Sequence, residues 1–182
     1  MDNNKGAVHQ CIVDLFKQSG ADLFASYGLQ LQREIASEPV TLEQECFMSV
    51  LGASAEGVKI LCYIRFTAEL GAQLYSGAQS SLGSEPLRDL CGELNNQLVG
   101  KVKNKLLAYQ CRLLLGLPTY LSGRDLAASC SAQASVASLT YGAAAGNLDV
   151  VVHTIIHDEF VMEDQPDESL VGAVEEGALA FF

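Results

Sequence analysis

Apolar residues recur at helical spacing through positions 87–107, and this stretch predicts a long amphipathic helix. At about 100° per residue, its apolar side chains fall on one broad arc that must face a core. Pro86 stands at a first-turn position, where its missing N–H costs little, and Ser84 is the expected N-cap. The apolar arc comprises Leu87, Leu90, Cys91, Leu94, Leu98, Val102 and Leu106. The opposite face carries Asp89, Glu93, Asn96, Gly100 and Lys103.

Similar patterns predict further elements on both sides of this helix. Residues 7–27 have a helical apolar stripe, with Ser19-Gly20 as a candidate interruption. Residues 29–32 alternate like a strand that Glu38-Pro39 ends. Residues 67–75 indicate a short helix capped by Thr67, and a link rich in glycine and serine at 76–84 leads to the long helix.

The remaining apolar runs are typical of strands. Residues 46–51 and 58–66 flank a turn-forming cluster at 52–57 and predict an antiparallel hairpin. Residues 131–141 and 148–156 predict a second hairpin. A strand around Gly116 and Pro118 must lie at an edge or a bulge, because proline lacks the N–H of a strand ladder. This order predicts an α+β domain with helices packed on a largely antiparallel sheet.

Composition agrees with a globular chain of one main domain. The 182 residues are 49% hydrophobic and 18% charged, which is typical of a filled core. No apolar run reaches the roughly 18–20 residues of a membrane span, and the first residues lack a signal-peptide pattern. The cysteines form no Cys-x-x-Cys pair and mostly lie in apolar stretches, which disfavours zinc and disulfides. We therefore expect a cytoplasmic protein that binds no membrane.

The net charge of −11 is unevenly distributed. Residues 1–124 contain all 11 basic and 12 of the acidic side chains, whereas residues 125–182 contain 10 acids and no Lys or Arg. The sequence therefore disfavours nucleic-acid binding. We expect a domain over residues 1–156 and an acidic C-terminal extension over 157–182, whose Phe181 and Phe182 either dock or belong to a disordered segment.

The polar face of the long helix offers candidate chemistry. Glu93 and Asn96 are three residues apart, so their Cβ atoms are about 5–6 Å from each other. Gly100 removes a side chain from the same face, at a cost of roughly 0.5–1 kcal/mol relative to alanine. This arrangement fits the close approach of a partner. It also fits a solvated face with a packing glycine, and spacing alone leaves both readings open.

The run Gly92-Glu93-Leu94-x-Asn96-x-x-x-Gly100-x-x-Lys103, followed by Leu117-Pro118-Thr119 and Gly123, closely resembles the signature of the CheC/CheX family and is most similar to its CheX branch. These proteins are phosphatases of the chemotaxis response regulator CheY. The resemblance implies a two-layer domain of long helices on an antiparallel sheet. It is strong over residues 87–124 and otherwise rests on the order of elements.

The resemblance also implies a role for each matching residue. Asn96 would enter the receiver's site and orient the attacking water, and Glu93 would bind a receiver lysine. Asp89 would border the contact and Gly100 would allow close approach. Lys103 belongs to the same partner-binding set, although its place near the helix C-terminus also suits the helix dipole.

The resemblance implies that this chain supplies few catalytic groups of its own. An aspartyl phosphate is an activated ester beside the receiver's own Mg²⁺, so the missing ingredient is an aligned water. An amide accepts from and donates to such a water. The chain itself then needs no cofactor, metal or general base.

The first helix lacks a Glu-x-x-Asn, which implies one site per chain, as in the CheX branch, and a homodimer through sheet edges. The alternative is a receiver-binding adaptor or flagellar-switch-like module without catalysis. Other chemistry is weakly supported: His153 and His157 are four apart, but position 153 falls in a predicted strand, which disfavours a metal site. No nucleophile elbow, phosphate-binding loop or dinucleotide motif occurs.

Overall fold

The computed structural model describes residues 2–37, 43–76, 83–126, 128, 130–163 and 165–173. Within these ranges the chain forms three α-helices and one seven-stranded sheet. In chain order the elements are α1 (Asp2–Ala25), β1 (Gln30–Ile35), β2 (Cys46–Ala55), β3 (Val58–Thr67), α2 (Ala68–Ser76), α3 (Ser84–Leu107), β4 (Leu114–Leu115), β5 (Thr119–Gly123), β6 (Ser135–Ala143), β7 (Gly146–Ile156) and a short 3-10 helix (Glu168–Ala173).

The strands lie in the order β1-β6-β7-β3-β2-β4, with β5 also paired to β2, and every pairing is antiparallel. Both predicted hairpins, β2–β3 and β6–β7, are confirmed. The strand around Pro118 becomes β4 and β5, which lie along the outer side of β2 as an edge. The predicted α+β fold, helices on an antiparallel sheet, is confirmed.

The turn of the first hairpin is shorter than the sequence suggested. Gly52 and Ala53 continue β2 and pair with Leu61 and Ile60 of β3, so their assignment to a turn was wrong. The turn needs only Glu56 and Gly57, because Gly57 has a φ of 77° that glycine adopts without strain. Small residues before it simply extend the strand.

The core lies between the helices and one face of the sheet. Strand alternation directs Cys62, Ile64 and Phe66 of β3 toward the helical layer, where they pack with Phe16 of α1 and Leu94 of α3. Thr67 caps α2 as predicted, since its Oγ1 accepts a hydrogen bond from the Leu70 N–H at 3.4 Å. The helices therefore form one layer on the sheet.

Helix α1 begins earlier than predicted and continues through Ser19-Gly20 without a break. Gly20 is buried against the ring of Tyr141 on β6, where a Cβ would lie 2.8 Å from Tyr141 Cζ. The Tyr141 hydroxyl donates to the Lys17 carbonyl at 3.3 Å. Gly20 thus serves helix–sheet packing, and tertiary contact overrides its weak helix propensity.

The opposite face of the sheet holds a buried ion pair. Arg65 Nη2 of β3 lies 2.8 Å from Asp149 Oδ2 of β7, and Thr140 donates to the other carboxylate oxygen at 3.0 Å. Arg65 Nη1 donates to the Leu126 carbonyl at 3.0 Å. The chain after β5 is thereby tied over this face, where Met48 also packs in a small second cluster.

The chain after β7 packs against the domain as far as the structure describes it. Phe160 lies against Gly57, Met162 is buried, and the Asp167 N–H donates to the Ala108 carbonyl at 2.8 Å. The division of the chain at residue 156 stays a prediction. The predicted break at Glu38-Pro39, most of the link at 76–84, and Phe181 and Phe182 lie outside the described residues.

Gly20→Ala is expected to destabilise the fold, because the new methyl group would overlap the Tyr141 ring; overpacking of this kind costs about 1–3 kcal/mol. Gly6→Ala is the matched control in α1, since nothing lies within 4 Å of a Cβ there, and it should stabilise by up to about 1 kcal/mol. Urea denaturation measures both variants. Equal free energies of unfolding would contradict this packing role.

The stability is expected to depend on pH through His9 of α1, whose Nδ1 lies 2.7 Å from Thr154 Oγ1 of β7. Partial burial lowers the pKa of His9 below its usual 6.5, so the fold favours the neutral ring. Its contribution is present above pH 6.5 and is lost as the pH falls through the lower folded pKa. Urea denaturation at several pH values should show this decline, and His9→Gln should reduce it; an unchanged pH profile in the variant would contradict it.

Candidate functional site

Helix α3 carries the candidate site and is packed along one side against the rest of the domain. It begins at Ser84, with Gly83 as N-cap and no side-chain cap hydrogen bond, so the prediction of Ser84 as N-cap was wrong by one position. The predicted apolar arc is buried except for Leu90, which is half-buried. The helix packs against α1, β2, β3 and β5. One side of α3 therefore faces the core along the length of the helix.

The other side of α3 carries the predicted site residues on one face. Asp89 and Glu93 are exposed, whereas Asn96, Gly100 and Lys103 are partly exposed. At about 100° per residue these positions fall within roughly 80° of each other around the helix axis. The structure therefore brings the five residues to one outward face, which we call the motif face.

The Glu93 carboxylate is held in place by its own helix. Gln97 lies one turn further along, and its Nε2 donates to Glu93 Oε1 at 2.7 Å. Among the described residues Glu93 forms no ion pair, so its negative charge is available to a partner. A carboxylate oriented in this way can accept a charge-assisted hydrogen bond from a lysine.

Two glycines flank the motif differently. A Cβ on Gly100 would have nothing within 4 Å, whereas one on Gly92 would lie 2.8 Å from both Cζ and Oη of Tyr120 on β5. Gly100 leaves an open strip of backbone on the motif face. Gly92 instead admits the aromatic ring between α3 and the strand edge.

Asn95 is a buried polar residue of α3 that the sequence reading did not single out. Its Nδ2 donates to the Ser49 carbonyl at 2.9 Å, and lies 3.3 Å from Ser49 Oγ and 3.4 Å from the Cys62 carbonyl. The Oδ1 atom accepts no hydrogen bond from the described residues. A typical hydrogen bond contributes about 0.5–1.5 kcal/mol, while a buried unsatisfied acceptor costs about 1–3 kcal/mol. The net contribution of Asn95 to the free energy of unfolding is therefore small. Its main effect is to fix the rotation of α3 about its own axis.

A signal for Asn95 was present in the sequence. Helical spacing places position 95 on the buried arc, between Val102 and Leu106 around the helix axis, where an amide is unexpected. An amide inside an apolar arc requires partners on the element that it faces. The sequence did not identify Ser49 as that partner, because the pairing depends on how α3 crosses β2.

The described residues offer little other chemistry. No group of three or more His, Cys, Asp or Glu side chains there is placed to hold a metal ion. His153 lies in β7, which confirms its predicted place in a strand, and it is buried there. Burial raises the pKa of Cys91, and its Sγ donates to the Ile64 carbonyl at 3.5 Å, so it is not an activated thiolate. No helix in the described ranges is long and apolar enough to cross a membrane.

Comparison with known proteins identifies the fold through solved structures. No family model matches the sequence, and no curated protein matches it significantly. The structure is similar to a CheC-like superfamily protein from Shewanella sp. PV-4, with 16% identity, a TM-score of 0.68, and coverage of 79% of this chain and 96% of that chain.

Two further solved structures support the same assignment. Chemotaxis protein CheX from Vibrio vulnificus has 17% identity and a TM-score of 0.67 over 79% of this chain and 98% of its own. A CheX–CheY–BeF3–Mg²⁺ complex from Borrelia burgdorferi contains a chain with 11% identity and a TM-score of 0.64, over 79% and 97%. The Glu93–Asn96 helix therefore belongs to a chain with the fold of the CheC-like and CheX chemotaxis proteins.

Proposed function

We propose that this chain is a phosphatase that removes the aspartyl phosphate from a CheY-like receiver domain in the cytoplasm. The observation that carries the proposal is the motif face of α3. Glu93 and Asn96 are adjacent and accessible there, and Gly100 leaves open backbone beside them. The helix that bears them is packed along its other side, so it presents both groups on a rigid element.

The chemistry divides between two proteins. The receiver supplies the acyl phosphate and Mg²⁺, and this chain supplies the side chain that aligns water opposite the leaving oxygen. The Asn96 amide accepts a hydrogen bond from that water through its carbonyl oxygen and donates one through its NH₂ group. As a neutral group it neither repels the phosphoryl oxygens nor competes for the metal.

Glu93 has a docking role in this proposal. Its carboxylate accepts a charge-assisted hydrogen bond from a receiver lysine and sets the depth at which α3 enters the partner's site. Asp89 and Lys103 lie at the two ends of the motif face and contact the receiver there. Support comes from the fold, since a CheX of this fold has been solved in complex with CheY and Mg²⁺.

Phosphate release from a phosphorylated CheY-like receiver tests the proposal. The chain is expected to accelerate release, and Asn96→Ala to abolish the acceleration, a loss on the order of 100-fold or more because the water is no longer positioned. Glu93→Ala should mainly weaken receiver binding, by about 1.5–3 kcal/mol. Lys101→Ala, in the same helix and exposed but about 80° around the axis from the nearest motif-face residue, is the control and should retain activity.

The second candidate function is an adaptor that holds a receiver without hydrolysing its phosphate. The fold is also similar to that of a chain in the FliM–SpeE complex from H. pylori, at 12% identity and a TM-score of 0.52 over 91% of both chains. Because that structure holds two proteins in complex, the likeness fits a binding module. The same assay separates the two functions. A stable complex with an unchanged phosphate lifetime would support the adaptor and overturn the phosphatase.

We also propose that the protein forms a homodimer through the edge formed by β4 and β5. Within the described residues β5 pairs only with β2, so its outer backbone groups are open to another strand. Apolar side chains are exposed along this edge, including Leu114 at 74% and Leu117 at 92%. The other edge, β1, instead exposes Arg33 and Glu34 and has a register shift, both of which disfavour pairing.

Leu117→Glu is expected to convert the dimer to a monomer, because it places a charge in the apolar contact between the two edges. The side chain is largely exposed in one chain, so the fold itself should be unaffected. Val161→Glu is the matched control, since Val161 is 79% exposed outside this edge. Sedimentation velocity measures the oligomeric state, and a wild-type protein that is already monomeric would exclude the edge contact.

A further inference from the structure

Tyr120 of β5 lies beside the motif face. Its ring packs over Gly92 so closely that any side chain at position 92 would overlap it. The same residue is 39% exposed. Tyr120 is therefore packed against α3 on one side and open at the surface on the other.

Asn96 is the motif-face residue one turn C-terminal to Gly92. Asn96 follows Gly92 by four residues, so the two positions are neighbours one turn apart. Side chains on a helix lean toward its N-terminus, which directs the Asn96 side chain back over the bare backbone of Gly92. The Tyr120 ring fills the space over Gly92 and therefore lies on the side toward which the Asn96 side chain leans.

The backbone that carries the ring is fixed by the sheet. Tyr120 pairs in register with Ser49 of β2, and the Ser49 carbonyl accepts the hydrogen bond from Asn95. Asn95 is one turn from Gly92 and immediately precedes Asn96. Helix α3, strand β2 and the edge strand β5 are thus joined within one helical turn of Asn96.

We propose that Tyr120 is a positioning residue for the Asn96 amide: its ring over Gly92 restricts the Asn96 side chain to the orientation that aligns water. This inference rests on the proposed phosphatase function. The restriction acts on the chemical step, whereas receiver affinity depends on Glu93. Loss of the ring should therefore lower kcat and leave receiver affinity nearly unchanged.

Tyr120→Ala tests this split. It is expected to lower kcat roughly tenfold to hundredfold, the scale of a small misplacement of a reacting group, with receiver Kd within about twofold. Tyr120→Phe retains the ring and should retain kcat. Tyr75→Ala, a 51% exposed tyrosine on α2, is the control for the loss of an aromatic side chain. Equal losses of kcat in Tyr120→Ala and Tyr75→Ala, or a loss confined to Kd, would overturn the proposal.

A double-mutant cycle tests the contact between the ring and Gly92. Gly92→Ala should lower kcat, because its methyl group displaces the ring. The double variant Gly92→Ala/Tyr120→Ala should be no worse than Tyr120→Ala alone, since no ring remains to be displaced. Additive losses would show that Gly92 and Tyr120 act independently, which would contradict the proposed contact.

The side-chain amide signal of Asn96, assigned by its loss in Asn96→Ala, reports positioning without any receiver. Its NMR order parameter should fall in Tyr120→Ala and be preserved in Tyr120→Phe. If the wild-type chain fails to accelerate phosphate release, the proposed function fails, while this signal still decides the positioning role. An unchanged order parameter in Tyr120→Ala would overturn the positioning role even in an active phosphatase.

Discussion

The rotation of α3 about its own axis is the constraint on which the rest of the structure depends. A shift of one residue would turn every side chain by about 100° and carry Glu93 toward the core. The apolar arc resists that shift, but apolar contact is weakly directional. The hydrogen bond from Asn95 to the Ser49 carbonyl supplies the direction, because it can form in only one orientation of the helix.

This arrangement explains why two glycines in one helix have opposite surroundings. Gly92 lies at the margin of the buried arc, where the Tyr120 ring fills the space of a side chain, while a Cβ at Gly100 on the motif face would have nothing within 4 Å. Each weakens the isolated helix by a similar amount. The packing of α3 against the sheet and α1 offsets both costs. A solvent-exposed helix with the same two glycines would lack this compensation and would be less stable.

Much of the fold was predictable because its signals are local. The spacing of Leu87, Leu94 and Leu98 identified α3, and apolar strand-like runs on either side of turn-forming residues identified both hairpins. The continuity of α1 at Gly20 was not predictable, since it depends on Tyr141 approaching from β6. The length of β2 was underestimated for a similar reason: Gly52 and Ala53 are held in the strand by their partners on β3.

The candidate site, like the fold, was predictable from the sequence only in part. The outward face of Glu93 and Asn96 follows from helical spacing alone, and the structure places both where that spacing predicted. Tyr120 and Asn95 could not be assigned from the sequence, because their surroundings arise from strands that cross beneath the helix. Asn95 contacts Ser49 because α3 crosses β2. Tyr120 reaches Gly92 because β5 pairs with β2 beside the same helix.

The two edges of the sheet differ, and this difference sets how far the proposed dimer could grow by strand addition. In the proposed dimer, the β4–β5 edge of one copy contacts the same edge of the other copy, which is a closed, self-complementary arrangement. The remaining border on each copy is β1, with its charged side chains and irregular register. In the proposed dimer, growth by strand addition would therefore stop at two chains, whereas a sheet with two apolar, regular edges would permit open-ended fibres.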